Sequence, residues 1–406
     1  MMSAGELHAP GQATGALHGL KVLDLSRFIA GPFCAQMLGD MGAEVVKVER
    51  PGGEDARHHA PFYKGESVYT MVFNRNKRGV TLSTRHPDAH TLLERLVQWA
   101  DVLVENYRPG TLEEMGFGYE RLHELNPRLV VTSISGFGQT GPLAGRALFD
   151  AIAQAMSGLM SLTGNADAEP TLTGTYIADY VAGLHGVIGT LLALVHRHST
   201  GEGQVVDVGS VDALFSCLGT RPSDLVMLGN HPERQGSRDL LTGPANVFEC
   251  QDGYVYIHAG TNPLFPRLCA AIGREELARD DRFVDVPSRM ANIDAIEEIV
   301  AAWAASLTLD EIAAVLTESG IPFGPVASIA DIVASPQIAA REMLVEVEHP
   351  TLGPLTLPGI PIKLSASPGS IRKAPPLVGE DTDDVFRELL GLDDDRLATL
   401  RAGGAI

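Results

Sequence analysis

The chain has 406 residues, 45% of them hydrophobic and 20% charged, with a formal net charge of -20. That length exceeds what one simple core needs and predicts two domains. The charge argues against a nucleic-acid or anionic-membrane binder, so any anionic ligand must be held by a local basic patch. Cys34, Cys217, Cys250 and Cys269 are scattered, without disulfide-framework or metal-ligand spacing, which suits a reducing cytoplasm and predicts no metal site.

In chain order, residues 1–18 read as a loose tail lacking a signal peptide's hydrophobic region. Lys21 to Leu25 is a predicted strand, Gly31-Pro32 opens a helix that Gly42 ends, and Glu44 to Glu49 is the second strand. Further strands at Val102 to Glu105 and Leu129 to Ser135 predict a parallel, doubly wound α/β sheet, whose ligands sit at the carboxyl ends of its strands. The apolar run Tyr180 to Val195 falls short of the ~20 residues a bilayer needs. It begins beside Asp179 and reads as a core helix. A large Rossmann-like domain is expected over 19–220 and a small α+β domain over 221–326, with a strand at 254–260 and helices near 264–272, 293–306 and 309–319. Residues 327–406 should return to the large domain and end in a helix near 382–390.

Three constellations could carry chemistry. The first, GFGQTG (Gly136 to Gly141), follows a predicted strand and matches the spacing of a dinucleotide fingerprint. Pro142 stands where the helix should begin, however, and no acid lies about twenty residues on, so a glycine-rich turn competes with a nicotinamide site. The second is basic: Arg75, Lys77, Arg78 and Arg85, with Lys47 and Arg50 at the end of the second strand. These fit either a solvated face or a phosphate cradle. The third is Asp179, at the head of the apolar run. It reads as a helix-start residue, or as a nucleophile kept ionised by the helix dipole. No nucleophile elbow, zinc motif or P-loop is present.

The segments LDLSRFIAGPFCAQMLGDMGAEVVKVERPGG, FNRNKRGVTL, ADVLVENYRPGTLEEMGFGYE, LNPRLVVTSISGFGQTGP, ADYVAG, STGEGQVVDV, GIPFGPV and PPLVGEDT occur in order. On these the chain resembles the class III CoA-transferases, the formyl-CoA and carnitine CoA-transferase family, from about Gly19 to its end. The resemblance implies that Asp179 is the catalytic aspartate. It also implies that CoA is held by Phe28, Ile29, Ala30, Arg50, Leu82, Arg85, Asn106 and Tyr107, so that much of the basic cluster is a CoA-phosphate site. Asp150 keeps an acidic position near the site. The family's two subunits interlock as rings, which implies a homodimer or a hetero-oligomer with a paralogous subunit. CoA and acyl-CoA enter as substrates, with no tightly bound cofactor.

Departures narrow the reading. Gln235 to Pro244 offers only Gly236 and Gly243 where formyl-CoA transferases carry a glycine-rich shielding loop, and Glu114 stands where some relatives place a basic CoA contact. An α-methylacyl-CoA racemase, the nearest alternative, would want histidine where Phe149 stands. A non-catalytic CoA-binding subunit is a further alternative. Arg57, His58, His59, Tyr63 and Lys64 cluster after the second strand, with Arg57 and Tyr63 as candidate contacts for a polar or dicarboxylic acceptor such as succinate or malate.

Overall fold

A computed structural model describes residues 15–406; the first fourteen residues of the expected tail lie outside the described part. The last residues of that expected tail are docked. The Leu17 N–H donates to Met41 O at 2.8 Å, and Gly15 packs so closely that a Cβ there would lie 2.2 Å from Met41 O.

The chain divides into two compact units. The first comprises, of the described residues, 15–159, Thr173–Thr220 and Gln337–Ile406. Its centre is a six-stranded sheet of β1 (Lys21–Asp24), β2 (Glu44–Glu49), β3 (Lys77–Thr81), β4 (Val102–Glu105), β5 (Val130–Ser135) and β6 (Val205–Gly209). Their order across the sheet is β3-β2-β1-β4-β5-β6, and every pair is parallel. Such a sheet is covered on both faces, and β1, β4 and β5 are correspondingly apolar and buried. The strand order reverses between β1 and β4, and the crevice outside their carboxyl ends is where ligands enter such folds. The expected doubly wound α/β sheet is therefore present. Strand β3 escaped the sequence reading, because its leading Lys77 and Arg78 read as part of a basic run.

One face of the sheet carries α1 (Ala30–Asp40) and α5 (Ile177–Thr200), with α4 (Asp150–Met156) against α5. Glycines set the closeness of α1 and α5. A Cβ on Gly183 would lie 2.8 Å from Ala30 O, and one on Gly186 would lie 2.7 Å from Ile134 Cδ1. Helix α5 runs 24 residues, longer than the apolar run that predicts it, because it continues through His196 to Thr200. It is long and apolar enough to cross a membrane by length and composition alone. Ala182, Gly186, Thr190 and Ala193 are buried against the sheet side, however, and Thr190 Oγ1 lies 2.6 Å from Thr132 Oγ1 beneath it. The opposite face, with Leu184, Ile188, Leu191, Leu192 and Val195, is open. The expected terminal helix is present at Thr382–Leu390, and its Thr382 Oγ1 accepts from the Thr81 N–H of β3 at 3.0 Å.

The second unit, Met160–Leu172 with Arg221–Pro336, has a three-stranded antiparallel sheet of Ala245–Cys250, Gly253–His258 and Phe323–Pro325. Helices Phe265–Ala271, Ile293–Ala304 and Leu309–Glu318 cover it, close to the expected positions. Against the expected span of 221–326, it extends to Pro336 and takes in 160–172. Gly236 N–H donates to Gly164 O at 3.0 Å, and the Arg234 guanidinium binds the carbonyls of Asn165 and Ala168.

Candidate active site

The loop after β1 is latched at every residue. Ser26 N–H donates to Asp24 Oδ1 at 2.9 Å, and Ser26 O accepts from Lys47 Nζ at 2.8 Å. Asn106, just past β4, holds Arg27 from both sides: its Oδ1 accepts from Arg27 N–H at 2.8 Å and its Nδ2 donates to Arg27 O at 2.7 Å. Phe28 N–H donates to Glu54 Oε2 at 2.9 Å, while Glu54 pairs through its other oxygen with the buried Lys47 at 3.0 Å. Phe28 sits at φ 64°, a left-handed backbone that a bulky residue adopts only when its surroundings impose it.

Beside this loop, at the strand-order reversal, lies a cleft of about 550 Å³ lined in part by Leu25, Arg27, Arg50, Leu82, Arg85 and Tyr107. Four expected CoA contacts, Arg50, Leu82, Arg85 and Tyr107, are thus brought to one cavity. Asn106 is turned onto the Arg27 backbone, Ile29 and Ala30 are buried at the start of α1, and the Phe28 ring packs beside Phe149 and His59. Glu114 also lines the cleft.

Most of the basic run is spent on folding. Arg75 pairs with Asp40 at 2.7 Å, Lys77 with Asp24 at 2.8 Å, and Lys47 with Glu54, all buried; Arg78 binds Glu44 and Glu388. Buried cations must be paired, so a basic stretch that forms a strand becomes an internal ion network. Arg57, expected as a candidate substrate contact, is instead buried: its Nε and Nη2 grip Glu49 at 2.7 and 2.6 Å and Nη2 reaches Pro376 O at 3.2 Å. Tyr63 is exposed on a two-residue strand, with Lys64 Nζ 5.2 Å from its ring centroid.

Asp179 is the third residue of α5, whose N-cap, Tyr176, supplies no side-chain cap. The cap comes from Asp150 at the head of α4. Its Oδ1 accepts from Ala178 N–H at 2.7 Å and its Oδ2 from Gln154 Nε2 at 2.7 Å. Asp150 thus fixes the helix end that presents Asp179. Burial, and then the Asp150 charge, push the Asp179 carboxyl up to about 7. Of the two sequence readings, helix-start residue or nucleophile, the second had the helix dipole keeping it ionised. The dipole is outweighed because the group is poorly hydrated, and no described residue donates a hydrogen bond to it.

An aromatic chain, invisible as a motif, runs from the loop after β1 to the head of α5. Phe149 meets Phe28, Phe28 meets His59, His59 meets Tyr69, and Tyr69 meets Tyr176 and Phe73, at centroid distances of 5.7 to 6.2 Å. Phe73 and Phe33 in turn flank Tyr180, the neighbour of Asp179. Burial and then the Asp179 charge raise the Tyr69 phenol well above its ordinary range. Only the fold assembles these rings, since they come from five separate stretches of chain; β-rich aromatic spacing would not have flagged them. Phe149, 68% exposed, offers no base at the racemase position.

GFGQTG is a turn. Gly138 and Gly141 have φ 79° and 95°, no helix begins before Asp150, and the Gln139 N–H donates to the Asp207 carboxylate at 3.0 Å. The backbone donor that a dinucleotide phosphate would need is already occupied by a side chain.

A cleft thus lies at the reversal of a parallel sheet, and a partly dehydrated carboxylate stands at the head of α5 of the same unit, an arrangement open to group-transfer chemistry. Residues 17–382 match the model of CoA-transferase family III. The chain is 38% identical over 392 residues, 95% of its length and 97% of the relative's, to succinyl-CoA–D-citramalate CoA-transferase of Chloroflexus aurantiacus. It is 40% identical, over the same shares, to the beta subunit of succinyl-CoA–L-malate CoA-transferase from that organism. With succinyl-CoA:glutarate CoA-transferase of Mus musculus it shares 36% identity, covering 96% of this chain and 90% of that one. Among solved structures, a CAIB/BAIF family protein from Brucella suis superposes with a TM-score of 0.83 at 35% identity, over 93% of this chain and 100% of that one. The chain belongs to CoA-transferase family III, and it is a CoA-transferase.

Proposed function

We propose that the protein moves CoA from succinyl-CoA to a dicarboxylic acid such as malate, through covalent intermediates on Asp179. The Asp179 carboxylate attacks the thioester carbonyl; the C–S bond breaks, leaving an aspartyl–succinyl anhydride and CoA thiolate. The thiolate attacks the aspartyl carbonyl, succinate departs, and an aspartyl-CoA thioester remains. The acceptor carboxylate then displaces the thiolate to form a second anhydride. The thiolate takes the acceptor acyl group and Asp179 is regenerated, so the thioester's free energy is conserved throughout.

The observation that carries this reading is the Asp179 carboxylate at the head of α5, half-buried, without a hydrogen-bond donor among the described residues, and close enough to the Tyr69 and Tyr180 rings for its charge to raise both phenols. Such a group is dehydrated enough to be nucleophilic, and the rings exclude water that would hydrolyse an anhydride. The dicarboxylate is supported by the names of the relatives, which act on citramalate, malate and glutarate.

The reading includes an interlocked dimer of two copies of this chain in the cytoplasm. The open apolar face of α5 supports an interface, and four unpaired cysteines fit a reducing compartment. One relative is divided into alpha and beta subunits, so a paralogous partner chain is the competing assembly.

The test incubates the enzyme with succinyl-CoA and a panel of carboxylates and follows the CoA esters by mass. Transfer that disappears in Asp179→Ala supports the reading; a fully active Asp179→Ala protein overturns it. Exchange of an α-proton with deuterated water, without acyl transfer, would establish the racemase instead.

A further inference from the structure

Arg27 was not expected among the CoA contacts, yet it lines the same cleft as Arg50 and Arg85. Its backbone is gripped at both N–H and C=O by Asn106, and its guanidinium lies over the Tyr107 ring, 5.3 Å from the centroid. The side chain is thereby aimed by groups that do not depend on it.

Between Arg27 and Arg50 stands one carboxylate. Asp55 is 3.7 Å from the Arg27 guanidinium and hydrogen-bonded to Arg50 Nη2, and Arg50 Nε is braced on Gly53 O at 2.8 Å. The neighbouring charges of this segment are committed elsewhere, Glu54 to Lys47 and Arg57 to Glu49. Asp55 is about half exposed, and its partners are two of the three exposed cations that line the cleft, Arg85 being the third. Two guanidinium groups converging on one carboxylate are also arranged to converge on a phosphate, which carries more charge and more acceptor atoms. An exposed carboxylate contributes little to stability in such a pair and is readily displaced.

We propose that Arg27 and Arg50 form a two-arginine clamp for one phosphate group of the nucleotide half of acyl-CoA, and that Asp55 is its built-in competitor. The clamp supplies the positive charge that Glu114 withholds from this cleft. The inference rests on the CoA-transferase reading.

The experiment titrates the full-length protein calorimetrically with CoA and, as a smaller phosphate-bearing probe, with adenosine 3′,5′-diphosphate. Arg27→Ala weakens both by about tenfold or more, as expected for loss of a charge-assisted contact. Arg27→Lys recovers part of the loss, and Asp55→Asn tightens both several-fold. Raising the salt concentration narrows the difference between wild type and Arg27→Ala. Arg27→Ala and Asp55→Asn keep the wild-type melting temperature, and the opposite signs of their effects on binding are not what a merely structural role produces. Binding of Arg27→Ala at wild-type affinity, or no tightening in Asp55→Asn, overturns the clamp. If the wild-type protein transfers CoA in either of those cases, only the clamp fails; if it binds neither ligand, the CoA-transferase reading fails with it.

Discussion

Two fields meet at Asp179. The first turn of α5 favours a negative charge, whereas burial and the Asp150 carboxylate oppose it, and the opposition wins. With its folded value raised to about 7 from the model-peptide 3.8, the acid holds its proton more tightly folded than unfolded. Its ionisation therefore costs stability as pH rises from about 4 to about 7, and the full cost persists above that range. Asp179→Asn should abolish transfer yet stabilise the protein at pH 8 by roughly 2 kcal/mol after allowance for partial exposure. The gain should vanish below pH ~4 in urea titrations, because both forms are then neutral. The reacting form is the carboxylate, so kcat/KM should climb through pH of about 7. Asp150→Asn preserves the acceptor for Ala178 N–H but removes the repelling charge, and should shift that limb to lower pH. An unmoved limb would mean that the Asp150 charge does not reach Asp179.

At the scale of elements, the site depends on how closely α5 approaches α1. Gly183 faces Ala30 O, and backbone cannot retreat as a flexible side chain can. Gly183→Ala should cost ~1–3 kcal/mol in denaturant unfolding, despite alanine's better helix propensity. Because Ala30 follows the latched loop, the same change should raise the KM for acyl-CoA more than it lowers kcat. A drop in kcat alone would dissociate helix packing from CoA binding. The elements themselves were largely legible: β1, β2, β4 and β5 lie within a residue of their expected ends, because short apolar strands bounded by turns leave a clear pattern. Strand β3 was not legible. Lys77 points inward to Asp24, Pro32 O and Asn74, and nothing local distinguishes a buried, paired lysine from a solvated one.

At the scale of the molecule, α5 buries one face and leaves Leu184, Ile188, Leu191, Leu192 and Val195 open, a stripe along one side of the helix. An exposed apolar stripe is the kind of surface that a subunit contact covers, and the proposed dimer would use it. If the proposed dimer uses this stripe, Ile188→Glu combined with Leu192→Glu, at positions 54% and 65% exposed, should leave the isolated fold intact but lower the mass measured by light scattering from that of two chains to that of one. An unchanged mass would place the subunit contact elsewhere.

The sequence alone determined the strands of the sheet other than β3, the doubly wound class and, through family segments, Asp179 as the candidate nucleophile, because these rest on local pattern and on residues that are close in the chain. Only the tertiary structure decided which charges are free. Arg75, Lys77, Lys47 and Arg57 looked available and are consumed by buried Asp40, Asp24, Glu54 and Glu49, while Arg27 stands exposed beside Arg50, the two sharing only the exposed Asp55. It likewise decided the protonation of Asp179, set by burial and by Asp150 from a different helix. Pairing and dehydration are properties of neighbours in space, and residues far apart in the chain become such neighbours only when the sheet closes.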